Sequence, residues 1–189
     1  MPATEKIAAV ILAGGEGRRM GGADKGLIAY RGRPLVEWVL AALTPQVDMI
    51  VISANRNLDR YSALGRRVLP DTLPGFPGPL AGVLAALQAV EADWLLVASC
   101  DTPHLPADLA SRLLAATRQQ NVPLAVAADE ARAHHSCFIV RTDQRENLAA
   151  FLASGERAVR RWQASLASVT VRFDAACFAN LNQPGDLEV

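Results

Sequence analysis

Neither sign of charge is in surplus in this chain of 189 residues: Lys plus Arg and Asp plus Glu stand at 19 each, for a formal net charge of zero. A chain without a basic excess has no global field to draw it onto nucleic acid or an anionic membrane surface. Neither is therefore expected as a partner, and charge must act locally. Cysteines are few, odd in number and far apart, at Cys100, Cys137 and Cys177. Without Cys-x-x-Cys spacing they suggest neither a disulfide framework nor a zinc site, which suits a reducing cytoplasm. Long apolar runs are missing too. Ile7 to Leu12 behind Lys6 is too short for a signal core and gives way at once to glycine and arginine. Leu80 to Ser99 is interrupted by Gly82, Gln88, Glu91 and Asp93, short of the ~20 apolar residues a membrane span requires. Aromatics make up only 5% of the chain against 51% hydrophobic residues, so the expected core is Ala, Val, Leu and Ile. The length suits a single domain over residues 1–189, without repeats or linkers.

What is present alternates. "IAAVIL", "MIVIS", "WLLVAS", "LAVAA" and "CFIV" are short apolar runs without polar alternation, the pattern of strands covered on both faces. Helical stretches lie between them. "PLVEWVLAAL" is predicted to carry Pro34 at its first helical position, "GPLAGVLAALQAV" reads as a second helix, and "PADLASRLLAATRQQ" as a third with Asp108 in its first turn. "ENLAAFLASG" and "RAVRRWQASL" then precede a "VTVRF" strand. Such alternation predicts an α/β fold, a three-layer Rossmann-like sandwich with a mainly parallel sheet, because parallel strands need crossovers and these are usually helices. Ligands in such sheets bind beyond the carboxyl ends of the strands.

"LAGGEGRRMGGADKG", from Leu12 to Gly26, occupies that address directly behind the first strand. Its six glycines let backbone amides approach a ligand closely, and Arg18, Arg19 and Lys25 add mobile positive charge suited to a phosphate chain. It is not a Walker A loop, since Gly26 rather than Ser or Thr follows Lys25, and not a dinucleotide fingerprint, since Met20 stands where the third glycine is needed. Asp101 follows "WLLVASC" and Asp71 follows "RRVLP", so two carboxylates are expected at strand ends. Each reads either as a turn former or as a ligand, for which Asp101 with phosphate oxygens satisfies a hard cation such as Mg²⁺. Ser53 and Asn55 end "MIVIS" as hydrogen-bonding groups for a base or ribose, or as helix caps. "GFPGPLAG" is either a second close-approach loop or a plain Pro/Gly connection. His134 and His135 are adjacent and face opposite ways on a strand, His104 lacks partners at metal-ligand spacing, and Cys100 has no base placed for it. Arg157, Arg160 and Arg161 read as the solvated face of a helix.

Taken together, "LAGGEGRRMGGADKG", "SANR" at Ser53 to Arg56, "PGPLAG" at Pro77 to Gly82, "CDTP" at Cys100 to Pro103 and "NLNQPGDL" at Asn180 to Leu187 resemble, in order and over almost the whole chain, the molybdenum cofactor guanylyltransferase family. The resemblance implies the nucleotide-diphospho-sugar-transferase type of fold and transfer of GMP from GTP to the terminal phosphate of molybdenum-molybdopterin, with Mg²⁺ as cofactor. Residue by residue it implies that Leu12, Ala13, Gly14, Gly15, Lys25, Ser53, Asp71 and Asp101 hold the nucleotide and that Asp101 ligates the metal. It further implies that Lys25, Asp101 and Arg19 are catalytic, and that Arg19, Gly22, Gly78, Gly82, Asn180 and Asn182 face the pterin. Ser53 stands where the family often has Asn, and His134 to Ser136 replaces a commoner His-Pro-Thr. The implied partners are GTP and molybdenum-molybdopterin, then other cofactor-biosynthesis proteins and apo-molybdoenzymes or their chaperones, and a monomer is expected. A cytidylyltransferase acting on a pterin, a sugar-phosphate nucleotidyltransferase and a catalytically silent nucleotide-binding module are the rival readings.

Overall fold

The computed structural model describes residues 5–13, 24–71 and 78–179. Strands β1 (Ile7–Leu12), β2 (Ala29–Tyr30), β3 (Arg33–Pro34), β4 (Met49–Ser53), β5 (Arg67–Leu69), β6 (Trp94–Ser99), β7 (Leu124–Ala128), β8 (Ala133–Arg141) and β9 (Ser168–Arg172) alternate with helices α1 (Leu35–Leu43), α2 (Leu58–Ser62), α3 (Pro79–Ala89), α4 (Leu109–Gln120), α5 (Arg145–Ala153) and α6 (Val159–Ala164). Seven of these strands form one sheet in the order β5-β4-β1-β6-β8-β7-β9, and β2 with β3 makes a small antiparallel hairpin.

The sheet is mainly parallel: β4 and β6 flank β1 in parallel register, β5 continues beyond β4, and β9 runs parallel to β7. The exception is β8, antiparallel to both β6 and β7. Only residues 129–132 separate β7 from β8, with the Asp129 amide donating to the Arg132 carbonyl at 3.0 Å. So short a link cannot carry a crossover helix, so "CFIV" reverses direction.

Alternate residues of each central strand point to opposite layers, as the pleat requires. Ala9, Ile11, Ile52, Leu96 and Ile139 join the layer of α1, α2 and α4, whereas Ala8, Val10, Val51, Leu95, Val97 and Phe138 join that of α3, α5 and α6. Both faces are thereby covered, which is why the strands read as continuous apolar runs. Helix α1 buries one stripe, Leu35, Val36, Val39 and Leu43. Helix α3 is apolar on nearly all sides and buried from Leu80 through Leu87, lying between the sheet and α5. Each fully buried Leu in these layers contributes about 1.5–3 kcal/mol relative to exposure. Two helix starts differ from the sequence reading. Pro34 precedes α1 in an extended conformation because it still pairs with Ala29 across the hairpin. Asp108 likewise stands just before α4 rather than in its first turn.

Candidate active site

From β1 the chain moves outward through β4 and β5, whereas from β6 it moves to the other side, through β7 and β8. The carboxyl ends of β1 and β6 therefore border the crevice where connections diverge, the usual ligand address of an open α/β sheet. Leu12 pairs with Ser53 on one side and Ser99 on the other. Just beyond, the Ala13 amide donates to the Ser53 carbonyl at 2.8 Å and the Cys100 amide to the Leu12 carbonyl at 3.1 Å. The glycine segment thus departs from a point clamped by both neighbouring strands. Gly14, Gly15, Arg19 and Gly22 lie outside the described residues, as do Asn180 and Asn182.

The chain is described again at Asp24, and Lys25–Leu27 form one 3₁₀ turn. Lys25 Nζ reaches Asp101 Oδ2 at 2.6 Å, with side chains 22% and 14% exposed. Residues 76 apart in sequence are brought together at the crevice, as the strand-end argument predicts. The half-sheltered setting strengthens the attraction relative to bulk water. Among the described residues Lys25 is the cation paired with Asp101. Cys100 next to it is buried, and its thiol is pushed up to about 12, first by burial and then by the charge of Asp101. It stays protonated at neutral pH and is no nucleophile.

A second polar pair closes the β4–β5 side. Asn55 Nδ2 donates to Asp71 Oδ2 at 2.7 Å, while the Asp71 amide donates to Asn55 Oδ1 at 2.8 Å. Asn55 is therefore not a helix cap; Asn57 precedes α2. Ser53 is buried at the end of β4, and Gly82 of α3 packs on it: a methyl at Gly82 would collide with Ser53 Oγ and crowd Leu12 Cδ2. The absence of a side chain at Gly82 lets α3 lie directly on the ends of β1 and β4. Gly78, exposed at the start of α3, has φ of +84°, a conformation that favours glycine.

The remaining candidates are scattered. His134 Nε2 meets Asp129 Oδ2 at 2.8 Å and stacks on Phe178, while His135 Nδ1 meets Gln163 Oε1 at 2.6 Å. His104 stands edge-on to Tyr30. Among the described residues no group of three or more His, Cys, Asp or Glu side chains is arranged to hold a metal ion. A cation that fits this site is one for which a single carboxylate suffices because phosphate oxygens and water complete its shell. Asp101, with Oδ2 engaged by Lys25, is a donor of that kind. Arg157, in the connection between α5 and α6, donates to the Leu152 carbonyl at 2.7 Å, and Arg161 of α6 pairs with Glu156 of the same connection, so both tie α5 and α6 together.

Residues the sequence reading missed stand behind Lys25. Asp24 accepts from Tyr61 Oη at 2.5 Å and from Asn57 Nδ2 at 2.9 Å. The sequence signal for Asp24 is its place beside Lys25 in "LAGGEGRRMGGADKG"; Tyr61 lies in a helix too short to show periodicity.

Residues 9–169 match the family described as the MobA-like NTP transferase domain. The chain is 44% identical over 181 residues to a molybdenum cofactor guanylyltransferase of Shewanella sp. (strain MR-4), covering 95% of this chain and 92% of that one. It is 48% identical over 186 residues to a protein of the same name from Burkholderia ambifaria (strain MC40-6), covering 93% and 91%. In fold it is similar to molybdopterin-guanine dinucleotide biosynthesis protein A from Archaeoglobus fulgidus, with a TM-score of 0.80 at 22% identity over 96% of this chain and 95% of that one.

Proposed function

Because the chain belongs to the MobA-like NTP transferase family, as a relative of the molybdenum cofactor guanylyltransferases over almost its whole length, we propose that it transfers GMP from GTP to the terminal phosphate of molybdenum-molybdopterin, forming the guanine dinucleotide cofactor and pyrophosphate. The observation that carries this reading is the 2.6 Å contact of Lys25 with Asp101 at the mouth of the β1–β6 crevice.

Nucleotidyl transfer asks little covalent chemistry of a protein; positioning and charge neutralisation supply most of the acceleration. The acceptor is itself a phosphate oxygen, ionised at neutral pH, so no general base is required. It attacks the α-phosphorus in line. The new P–O bond forms as the bond from that phosphorus to the bridging oxygen breaks, and pyrophosphate departs with the electron pair. Lys25, with Arg19 from the glycine segment, offsets the repulsion between the two anions. Leu12, Ala13, Gly14 and Gly15 hold the nucleotide at the end of β1, with Ser53 and the Asp71–Asn55 pair on the β4–β5 side. Arg19, Gly22, Gly78, Gly82, Asn180 and Asn182 face the pterin, and Gly82 also seats α3 against Ser53. Asp101 is the residue that would hold Mg²⁺, which supplies further positive charge to the phosphates when bound. Other cofactor-biosynthesis proteins and apo-molybdoenzymes or their chaperones then receive the product, in the cytoplasm.

The test offers GTP or CTP labelled at the α-phosphate, with Mg²⁺, to molybdenum-molybdopterin or to a sugar 1-phosphate. Label is expected to join the pterin from GTP. A labelled product from CTP alone or on the sugar alone would reassign the substrate, and none from any pairing would favour a silent nucleotide-binding module.

A further inference from the structure

Lys25 is flanked by a side-chain clamp built on α2. Asp24 is the first described residue beyond Gly22, and both its carboxylate oxygens are engaged: Oδ1 accepts from Tyr61 Oη at 2.5 Å and Oδ2 from Asn57 Nδ2 at 2.9 Å. Both donors come from the ends of one short element. Asn57 precedes α2 with φ of +51°, Tyr61 lies in its last turn, and the Tyr61 amide donates back to the Asn57 carbonyl at 3.2 Å. Tyr61 is fully buried, so its ring is fixed and its hydroxyl has one direction to point. Burial first, then the bond to Asp24, push its pKa far above the ordinary phenol value, which keeps the hydroxyl a donor. Gly26 on the other side of Lys25 leaves room for this arrangement, since a methyl there would lie 2.5 Å from Tyr61 Oη.

Lys25 therefore sits between a pinned residue and one packed against the pin, and its ammonium meets Asp101. A lysine ammonium swings on a stem of four flexible carbons and loses rotamer freedom when it is held in one place. Fixing its backbone on both sides is the means a fold has of aiming it.

We infer that Tyr61 and Asn57, through Asp24, are positioning residues that hold the backbone of Lys25 so that its ammonium is delivered to Asp101 and the phosphate chain. The inference rests on the proposed role of Lys25 in transfer. It makes α2, which carries no residue assigned to substrate, part of the catalytic apparatus at one remove.

The chain has two lysines, Lys6 and Lys25, and Lys6 is exposed. It serves as the internal standard. The protein, free of nucleotide and metal, is treated briefly with an amine-acylating reagent, and the ratio of labelling at Lys25 to that at Lys6 is read by peptide mass spectrometry. Tyr61→Phe keeps the buried ring and removes the bond, and Asn57→Gly, at an exposed site, removes the other while tolerating positive φ. Both are expected to raise the ratio severalfold as Lys25 leaves its ion pair. In the transfer assay, Tyr61→Phe should lower kcat by about tenfold or more, the scale of a misplaced catalytic group. That loss should largely disappear when measured in a Lys25→Ala background, whereas a merely structural loss would persist there. An unchanged labelling ratio in both variants, or an equal kcat loss in the two backgrounds, overturns the inference. Full turnover of Lys25→Ala would sink the catalytic reading instead, and the labelling ratio, which needs no activity, would still decide the positioning.

Discussion

Asp101 and Asp129 occupy equivalent places: each follows a strand, β6 or β7, and these strands run in the same direction on either side of β8. Their surroundings differ. Asp129 accepts from the amides of Ala131 and Arg132 at 2.7 and 2.8 Å and meets His134, so its carboxylate is used up by its own hairpin. Asp101 faces a lysine on a flexible stem at the edge of a glycine segment. A carboxylate satisfied by fixed backbone groups is part of the fold, whereas one satisfied by a movable cation is available to exchange that partner for a ligand. The same contrast divides the sheet. The β5-β4-β1-β6 half is wholly parallel and gathers Asp71, Asn55, Ser53, Lys25 and Asp101 at its carboxyl ends, while the β8-β7-β9 half contains the reversed strand and spends its polar groups on itself.

Substitutions on the two sides of this division differ in their expected effect. The largest is expected from Lys25→Ala, which should lower GMP transfer by about 10²-fold or more with an unchanged circular dichroism spectrum, by comparison with loss of other preorganised electrostatic groups. Gly82→Ala tests packing beneath the site. Its methyl would strike Ser53 on a buried surface, so the urea midpoint should fall by an amount worth about 1–3 kcal/mol. On the other half, Asp129→Asn should lower stability by less and leave kcat per folded molecule unaltered. Its pH dependence has a definite sign. The amides of Arg132 and Ala131, and then His134, hold the Asp129 carboxyl below its ordinary value of 3.8. Its contribution is therefore complete above that value and is lost as the pH falls through the lowered one, so the stability gap between wild type and Asp129→Asn should close in acid. The smallest effect is expected from thiol chemistry. Cys100 and Cys137 are buried with pKa values pushed up to about 12 by burial, so alkylation at neutral pH should spare both and leave transfer unaltered until the protein is unfolded.

The parallel half was legible from sequence because its signals are local. "IAAVIL", "MIVIS" and "WLLVAS" coincide with β1, β4 and β6, and a buried strand followed by a polar residue places that residue at the sheet's carboxyl edge. Asp101 could be assigned to the crevice on that ground, and Lys25 by its place in the glycine segment that follows β1. The reversal at β8 was not foreseen, since an apolar run does not state its direction; the four-residue link decided it. The Asn55–Asp71 pair and the Tyr61–Asp24–Asn57 clamp were hidden for a related reason. Each joins residues well separated in sequence through side-chain geometry, and Asn and Asp in such positions read equally as caps, turn formers or ligands. Gly82 shows the converse, as a glycine legible by motif whose visible service is to let a helix lie against Ser53.

The contrast between the two aspartates is tested by Mg²⁺-dependent transfer of α-labelled GMP by Asp101→Ala and Asp129→Ala, each measured per folded molecule. Turnover should fall by about 10²-fold or more for Asp101→Ala and hold for Asp129→Ala. Full Mg²⁺-dependent turnover by Asp101→Ala would contradict it.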